Sequence, residues 1–144
     1  YGNLLYVPAG GSKMPATQET VEKRLHYMKM EGSSLFRIAV NAMSEAVKKV
    51  LERNGLTSDQ ISLIIPHQAN IRIIQGVAKL TDIPMEKVFV NIEKYGNMSA
   101  ASVGVALDEA VKSGKVRKGD LICMVSFGAG LTWAANLIKW GKNE

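Results

Sequence analysis

Two short segments carry side chains suited to holding a developing negative charge. Pro66-His67-Gln68-Ala69-Asn70 closes an apolar run, and Gly96-Asn97-Met98-Ser99-Ala100-Ala101-Ser102 follows about thirty residues later. An imidazole and a carboxamide both donate N–H groups without giving up a full proton. Donors set in place beforehand stabilise an oxyanion without reorganising, and losing one costs ~2.7–4 kcal/mol in acyl-transfer sites. Neither segment brings a nucleophile with it, so the pair reads as part of an active site whose nucleophile lies elsewhere. Each residue also has a purely structural reading: His67 as a histidine satisfied by backbone groups, and Asn97 as the N-cap of the stretch behind it.

Other reactive side chains are few. One cysteine and two histidines cannot build an intrachain disulfide or a cysteine-rich metal site, and no metal is expected. Cys123 lies within Leu121-Ile122-Cys123-Met124-Val125, apolar on both sides, where a thiol belongs to the core. A Cys-His-Asn hydrolase built from Cys123, His67 and Asn97 is therefore a weak alternative, because such nucleophiles are activated at a helix N-terminus or by a paired base. His26, beside Tyr27 and without a partner motif, is expected on the surface. Gly128 and Gly130 form a Gly-x-Gly too unspecific to mark a phosphate loop, and no helix follows them.

These residues need a frame. From Leu35 to Arg53, Phe36, Val40, Met43, Val47 and Val50 recur at spacings of three and four, which predicts an amphipathic helix closed by Asn54-Gly55. Ile61-Ser62-Leu63-Ile64-Ile65 is a β-branched run stopped by Pro66, a buried strand that delivers His67 to its carboxyl end, where α/β sheets usually bind ligands. Asn70 then caps a helix with Ile73, Ile74, Val77 and Ala78 on one face and Arg72, Gln75 and Lys79 on the other. Val88-Phe89-Val90 predicts another short strand, and Ser99 to Ser113 a helix of small residues ending at Gly114. Leu121 to Ser126 and Leu131 to Trp140 predict two strands joined through the turn Phe127-Gly128-Ala129-Gly130.

Residues 1–34 form an irregular lead-in, with a strand at Leu4 to Val7, a loop around Pro8-Ala9-Gly10-Gly11 and Pro15, and no clear period from Thr17 to Met30. Residues 35–144 then make one α/β domain, a layered mixed β-sheet with flanking helices and a C-terminal β-hairpin. With 144 residues, 47% of them hydrophobic and 22% charged, the chain is long enough for a real core.

The net charge of +5 is scattered, without a basic block, zinc-finger spacing or an aromatic RNA-binding motif. Nucleic acid is thus not an expected partner, whereas an acidic protein fits. No apolar run reaches the ~20 residues of a membrane span, and the single cysteine suits a reducing cytoplasm. The chain opens at Tyr1 without methionine, as expected of a piece of something longer.

His67-Gln68-Ala69-Asn70-Ile71-Arg72, Gly96-Asn97-Met98-Ser99-Ala100-Ala101-Ser102 and Phe127-Gly128-Ala129-Gly130-Leu131-Thr132-Trp133 together resemble the signature of the 3-oxoacyl-(acyl-carrier-protein) synthase III family, the initiating condensing enzymes of bacterial fatty-acid synthesis. Order and spacing agree, and Met30-Glu31-Gly32 followed by Leu35-Phe36-Arg37 resembles the entry into the family's second half. The resemblance implies a thiolase-like fold of two halves, of which this chain is similar to the C-terminal one. Synthase-III-like and plant-type polyketide condensing enzymes are the nearest rivals, and elongating synthases differ in pairing two histidines. A lone half acting as a binding or dimerisation module is the alternative from another class.

The resemblance implies roles residue by residue. His67 and Asn97 take the places of the catalytic histidine and asparagine, and the cysteine nucleophile belongs to the other half, with Cys123 not matching it. Gln68, Ala69, Asn70, Ile71 and Arg72 fall where the family meets the carrier protein, its pantetheine arm and CoA. Ala129 falls at the backbone N–H that serves the acyl thioester oxygen, where a glycine is common; its N–H suffices unless the position requires a positive φ. Ser33 stands where relatives often have an asparagine near CoA. Arg37, with Arg72 and Lys79, is a candidate for docking the acidic carrier protein. No cofactor is implied beyond the substrates, an acyl-CoA primer such as acetyl-CoA and malonyl-ACP, and a cytoplasmic homodimer is implied.

Overall fold

The structure, a computed structural model, describes residues 1–141. In chain order its first elements are β1 (Leu5–Tyr6), α1 (Gln18–Glu22), β2 (Lys29–Met30) and α2 (Gly32–Arg53). β3 (Leu63–Pro66), α3 (Ile71–Leu80), α4 (Ile92–Tyr95) and α5 (Ala101–Lys112) follow, and β4 (Leu121–Gly128) and β5 (Thr132–Lys139) close the fold. The central sheet has the order β3-β4-β5. β3 and β4 run parallel, with Ile64 beside Cys123 and Pro66 beside Val125, while β4 and β5 are antiparallel. The sheet is therefore mixed and carries a C-terminal hairpin, as the sequence predicts.

Helices cover both faces of β3 and β4, which is why those strands read as apolar runs, whereas β5 packs on α2 and keeps Thr132, Trp133, Ala134, Asn136 and Lys139 exposed. On one face Ile64, Cys123 and Val125 pack against Met43, Val47 and Leu51 of α2 and Ile74 and Val77 of α3. On the other, Leu63, Ile65 and Ile122 pack against Ala106 and Ala110 of α5, with Phe89 and Val116. The period of two along each strand sorts its side chains between the two layers. α2 and α3 approach closely because position 76 is glycine: a Cβ there would stand 3.0 Å from both γ-carbons of Val40. No helix among the described residues is long and apolar enough to cross a membrane.

Several local expectations need correction. Val88-Phe89-Val90 is not a strand; one parallel bridge, Ile64 to Val88, is all the pairing it makes. A 3₁₀ turn over Met85–Lys87 precedes it and α4 begins at Ile92, so the chain leaves the sheet after one contact. Pro66 does stop β3, as its last residue, at the end of a strand on the edge of the sheet. The hairpin loop is Ala129 to Leu131, since Phe127 and Gly128 still pair with Trp133 and Thr132. α2 starts at Gly32, ahead of the predicted Leu35, and α5 at Ala101, after Ser99 turns through φ +54.

The lead-in is more ordered than its sequence suggests. β1 and β2 pair antiparallel, and the Glu31 N–H donates to the Leu4 carbonyl at the entrance to α2. His26 is half-buried rather than on the surface, its Nε2 2.9 Å from the hydroxyl of Thr20, itself held in a reciprocal cap with Thr17.

Candidate active site

Because β3 and β4 are parallel, their carboxyl ends share one edge of the sheet, the edge where α/β folds bind ligands. His67 follows β3 there, its N–H donating to the Val125 carbonyl at 2.8 Å. Three residues beyond Val125, β4 ends and the Ala129 turn begins. Asn70 caps α3 as predicted, its Oδ1 accepting from the Arg72 N–H at 2.8 Å. His67 and the Ala129 turn are thereby carried by adjacent strands.

The His67 imidazole is half-buried, and that burial pushes its pKa below the ordinary histidine value, so the ring is neutral at pH 7. Its Nδ1 stands 2.5 Å from the hydroxyl of Ser102, one residue into α5. The same hydroxyl accepts from the Gln68 N–H at 3.2 Å. Asn97 lies five residues before Ser102 and is exposed. It is not the N-cap of α5, which is Ala100; its Oδ1 accepts from the Ser99 N–H at 3.0 Å. That bond occupies the oxygen and leaves the Nδ2 donor out of it. No hydrogen bond joins His67 and Asn97 among the described residues; the first turn of α5 connects them through Ser102.

The loop carrying Asn97 is anchored from behind. Asn91 Nδ2 donates to Glu109 Oε2 at 2.8 Å, and Lys94 Nζ meets Glu109 Oε1 at 2.5 Å. Lys94 and Asn91 hold the Glu109 carboxyl below the usual carboxylate range. α4 then ends at Gly96, whose φ of +66 and ψ of −162 suit glycine and few other residues. Asn91 Oδ1 is buried without a partner among the described residues.

Gln68 departs from its expected role as a ligand contact. Its side chain is 0% exposed and fully occupied: Nε2 donates to the carbonyls of Pro66 (2.8 Å) and Phe89 (3.1 Å), and Oε1 accepts from the Asn91 N–H (3.0 Å). It is a brace between the His67 strand end and the segment leading to Asn97. Asn70, Ile71 and Arg72 are exposed, and Ala69 is half-buried. Arg37, Arg72 and Lys79 are exposed as well, and each arginine lies about one helical turn before the contact of Val40 with Gly76. Ala129 is exposed and is not among the positive-φ residues, so alanine fits its backbone without strain. Cys123 is buried, and burial pushes its thiol up to about 12. It has no route to act as a nucleophile at pH 7.

A cleft of about 580 Å³ lies elsewhere, lined by Tyr1 to Leu4 with Ser34, Arg37 and Ile38; neither His67 nor Asn97 borders it.

The family described as 3-oxoacyl-(acyl-carrier-protein) synthase III C terminal matches residues 51–140. The chain belongs to this family. Among curated synthase III proteins, the beta-ketoacyl-(acyl-carrier-protein) synthase III of Caldanaerobacter subterraneus is 56% identical over 141 residues, 98% of this chain and 43% of that protein. The crystal structure of the synthase III from Pseudomonas aeruginosa is 36% identical with a TM-score of 0.86, covering 98% of this chain and 42% of that one. The priming beta-ketosynthase of a polyketide pathway is 34% identical with a TM-score of 0.81, covering 98% and 42%. The chain therefore spans under half the length of the synthase III proteins it matches, and its thiolase-like architecture is theirs.

Two parts of the site escape a residue-by-residue reading. Ser102 sits inside the quoted Gly96 to Ser102 motif, but only helical geometry turns its hydroxyl toward a histidine 35 residues away. Glu109 is two turns further along α5 and carried no motif at all.

Proposed function

We propose that this chain is the C-terminal half of a 3-oxoacyl-ACP synthase III and that His67 and Asn97 clamp the enolate oxygen formed on malonyl-ACP. The observation that carries this reading is the half-buried His67 at the strand end, its Nδ1 against Ser102 of the helix whose approach loop carries Asn97, with burial lowering the imidazole pKa. Two neutral donors suit the chemistry, because a charged imidazolium would protonate the carbanion it is meant to preserve.

In the proposed reaction an acyl group, with acetyl-CoA as the expected primer, is first carried by a cysteine of the upstream half. Malonyl-ACP enters with its arm passing Asn70 to Arg72. The bond to the carboxylate breaks, CO2 leaves, and the electron pair places negative charge on the thioester oxygen between His67 Nε2–H and Asn97 Nδ2–H. The enolate carbon attacks the acyl-cysteine carbonyl, whose oxyanion the Ala129 N–H holds. The C–S bond then breaks, releasing thiolate and 3-oxoacyl-ACP. Arg37, Arg72 and Lys79 would steer the acidic carrier protein. A cytoplasmic homodimer belongs to the same proposal.

Likeness to a priming polyketide ketosynthase supports a second reading, the same condensation in secondary metabolism. The chemistry of His67 and Asn97 is common to both. A test of the clamp is Asn97→Ala in the full-length enzyme, assayed as CO2 release from malonyl-ACP. A loss of a few hundredfold, about 3–4 kcal/mol in the barrier, is expected; wild-type decarboxylation would remove Asn97 from the mechanism. Activity of residues 1–144 alone would refute the assignment of the nucleophile to the upstream half.

A further inference from the structure

The Ser102 hydroxyl is 0% exposed and meets two groups. One is the Gln68 N–H, which can only donate, so it takes an oxygen lone pair. The other is His67 Nδ1 at 2.5 Å. The hydroxyl's own proton has no other acceptor among the described residues. If Nδ1 carried the ring proton, two N–H donors would converge on Ser102 and its O–H would be buried without an acceptor, a costly arrangement. If Nδ1 is bare, every group is satisfied: Gln68 N–H to Oγ, and Ser102 O–H to Nδ1.

From this geometry we infer that Ser102 is a positioning residue that locks His67 as its Nε2–H tautomer, keeping the ring proton on the nitrogen away from Ser102. The inference deepens the clamp reading and rests on it for the function of that proton. The opposite tautomer would present a lone pair to the enolate oxygen and repel it. Ser102 touches no reacting atom. It acts through His67, and Gln68 assists by holding the hydroxyl from its other side while its amide braces Asn91. The first turn of α5 thereby sets both donors, since the same turn follows the loop whose Ser99 N–H orients the Asn97 amide.

The tautomer can be read directly in the full-length enzyme labelled with ¹⁵N-histidine, using long-range ¹H–¹⁵N spectra at neutral pH, with the His67 signals identified by their loss in His67→Ala. The wild type is expected to show a protonated Nε2 and a bare Nδ1. Ser102→Ala, which favours the helix but leaves the Gln68 N–H without its acceptor, should give a mixed or Nδ1–H ring. Its kcat for malonyl-ACP decarboxylation should fall about tenfold or more with KM within about twofold. A wild-type ring protonated at Nδ1 would overturn the inference, and so would Ser102→Ala with an unchanged tautomer or an unchanged kcat. These outcomes separate from failure of the clamp itself: wild-type decarboxylation by Asn97→Ala removes the clamp whatever the spectra show, and loss of activity in Asn97→Ala beside an unaffected Ser102→Ala removes only the role of Ser102.

Discussion

The hydroxyl of Ser102 and Nδ1 of His67, 35 residues apart in sequence, meet at 2.5 Å. This contact fastens the end of β3 to the start of α5, and through α5 to the loop of Asn97. The site is therefore held by helix-to-strand cross-bracing, with Gln68 as the second brace.

Replacing Gln68 by leucine should damage stability as well as catalysis. The change keeps volume but leaves the Asn91 N–H and the Phe89 and Pro66 carbonyls without their partner, and each buried orphan costs about 1–3 kcal/mol. A loss of about 3 kcal/mol is expected, read as a lower midpoint in urea with an unchanged slope. An exposed ligand contact would change KM and leave the midpoint alone.

Below neutral pH the behaviour of His67 can be derived from its shift. Burial lowers its folded-state pKa, so in falling pH the unfolded chain takes up the proton first. The contribution to stability is complete above the unfolded value of about 6.5 and is lost as pH falls through the lower folded value. Condensation should accordingly be flat from pH 7 upward on this group's account and decline only on the acid side of the ordinary histidine range. Rate against pH for the wild type and for decarboxylation by His67→Ala checks this, since the variant should lack that inflection.

Cys123→Ala should leave turnover per folded enzyme unchanged. The lost sulfur sits in a packed core between Ile64 and Leu137, so a destabilisation of about 1–2 kcal/mol is expected from the cavity. Thermal unfolding together with kcat separates the two effects. The raised thiol pKa further predicts that Cys123 resists iodoacetamide until the protein unfolds.

Charge reversal at Arg37 and Arg72 should raise KM for malonyl-ACP about tenfold for the pair at low ionic strength, with kcat unchanged. The effect should shrink as salt screens the exposed charges. Steady-state kinetics at two salt concentrations measures both.

Much of this frame was readable from local pattern. The three-and-four spacing of Val40, Met43 and Val47 gave α2, the run Leu63 to Ile65 gave β3, and Asn70 gave the cap of α3, because each reports burial or a bond between near neighbours. What escaped depends on distant partners. Val88-Phe89-Val90 has the composition of a strand but only Ile64 beside it, and composition does not register a missing neighbour. Gln68 looks like a polar surface residue until backbone groups of Phe89 and Asn91, 21 and 23 residues on, come to enclose it. The types His67 and Asn97 were legible as chemistry; the serine that orients one of them was visible only as a letter in a motif.

The pairing of β3 with β4 gives the molecule a ruler. His67 and the Ala129 turn sit at fixed counts beyond Ile65 and Met124, which face each other in the sheet. Slipping that count by one residue would move the turn ~3.3 Å along the strand and send its side chains to the opposite layer. Substitutions deep in the apolar interior, far from any substrate, are thus liable to surface as kinetic defects in an enzyme that still melts cooperatively.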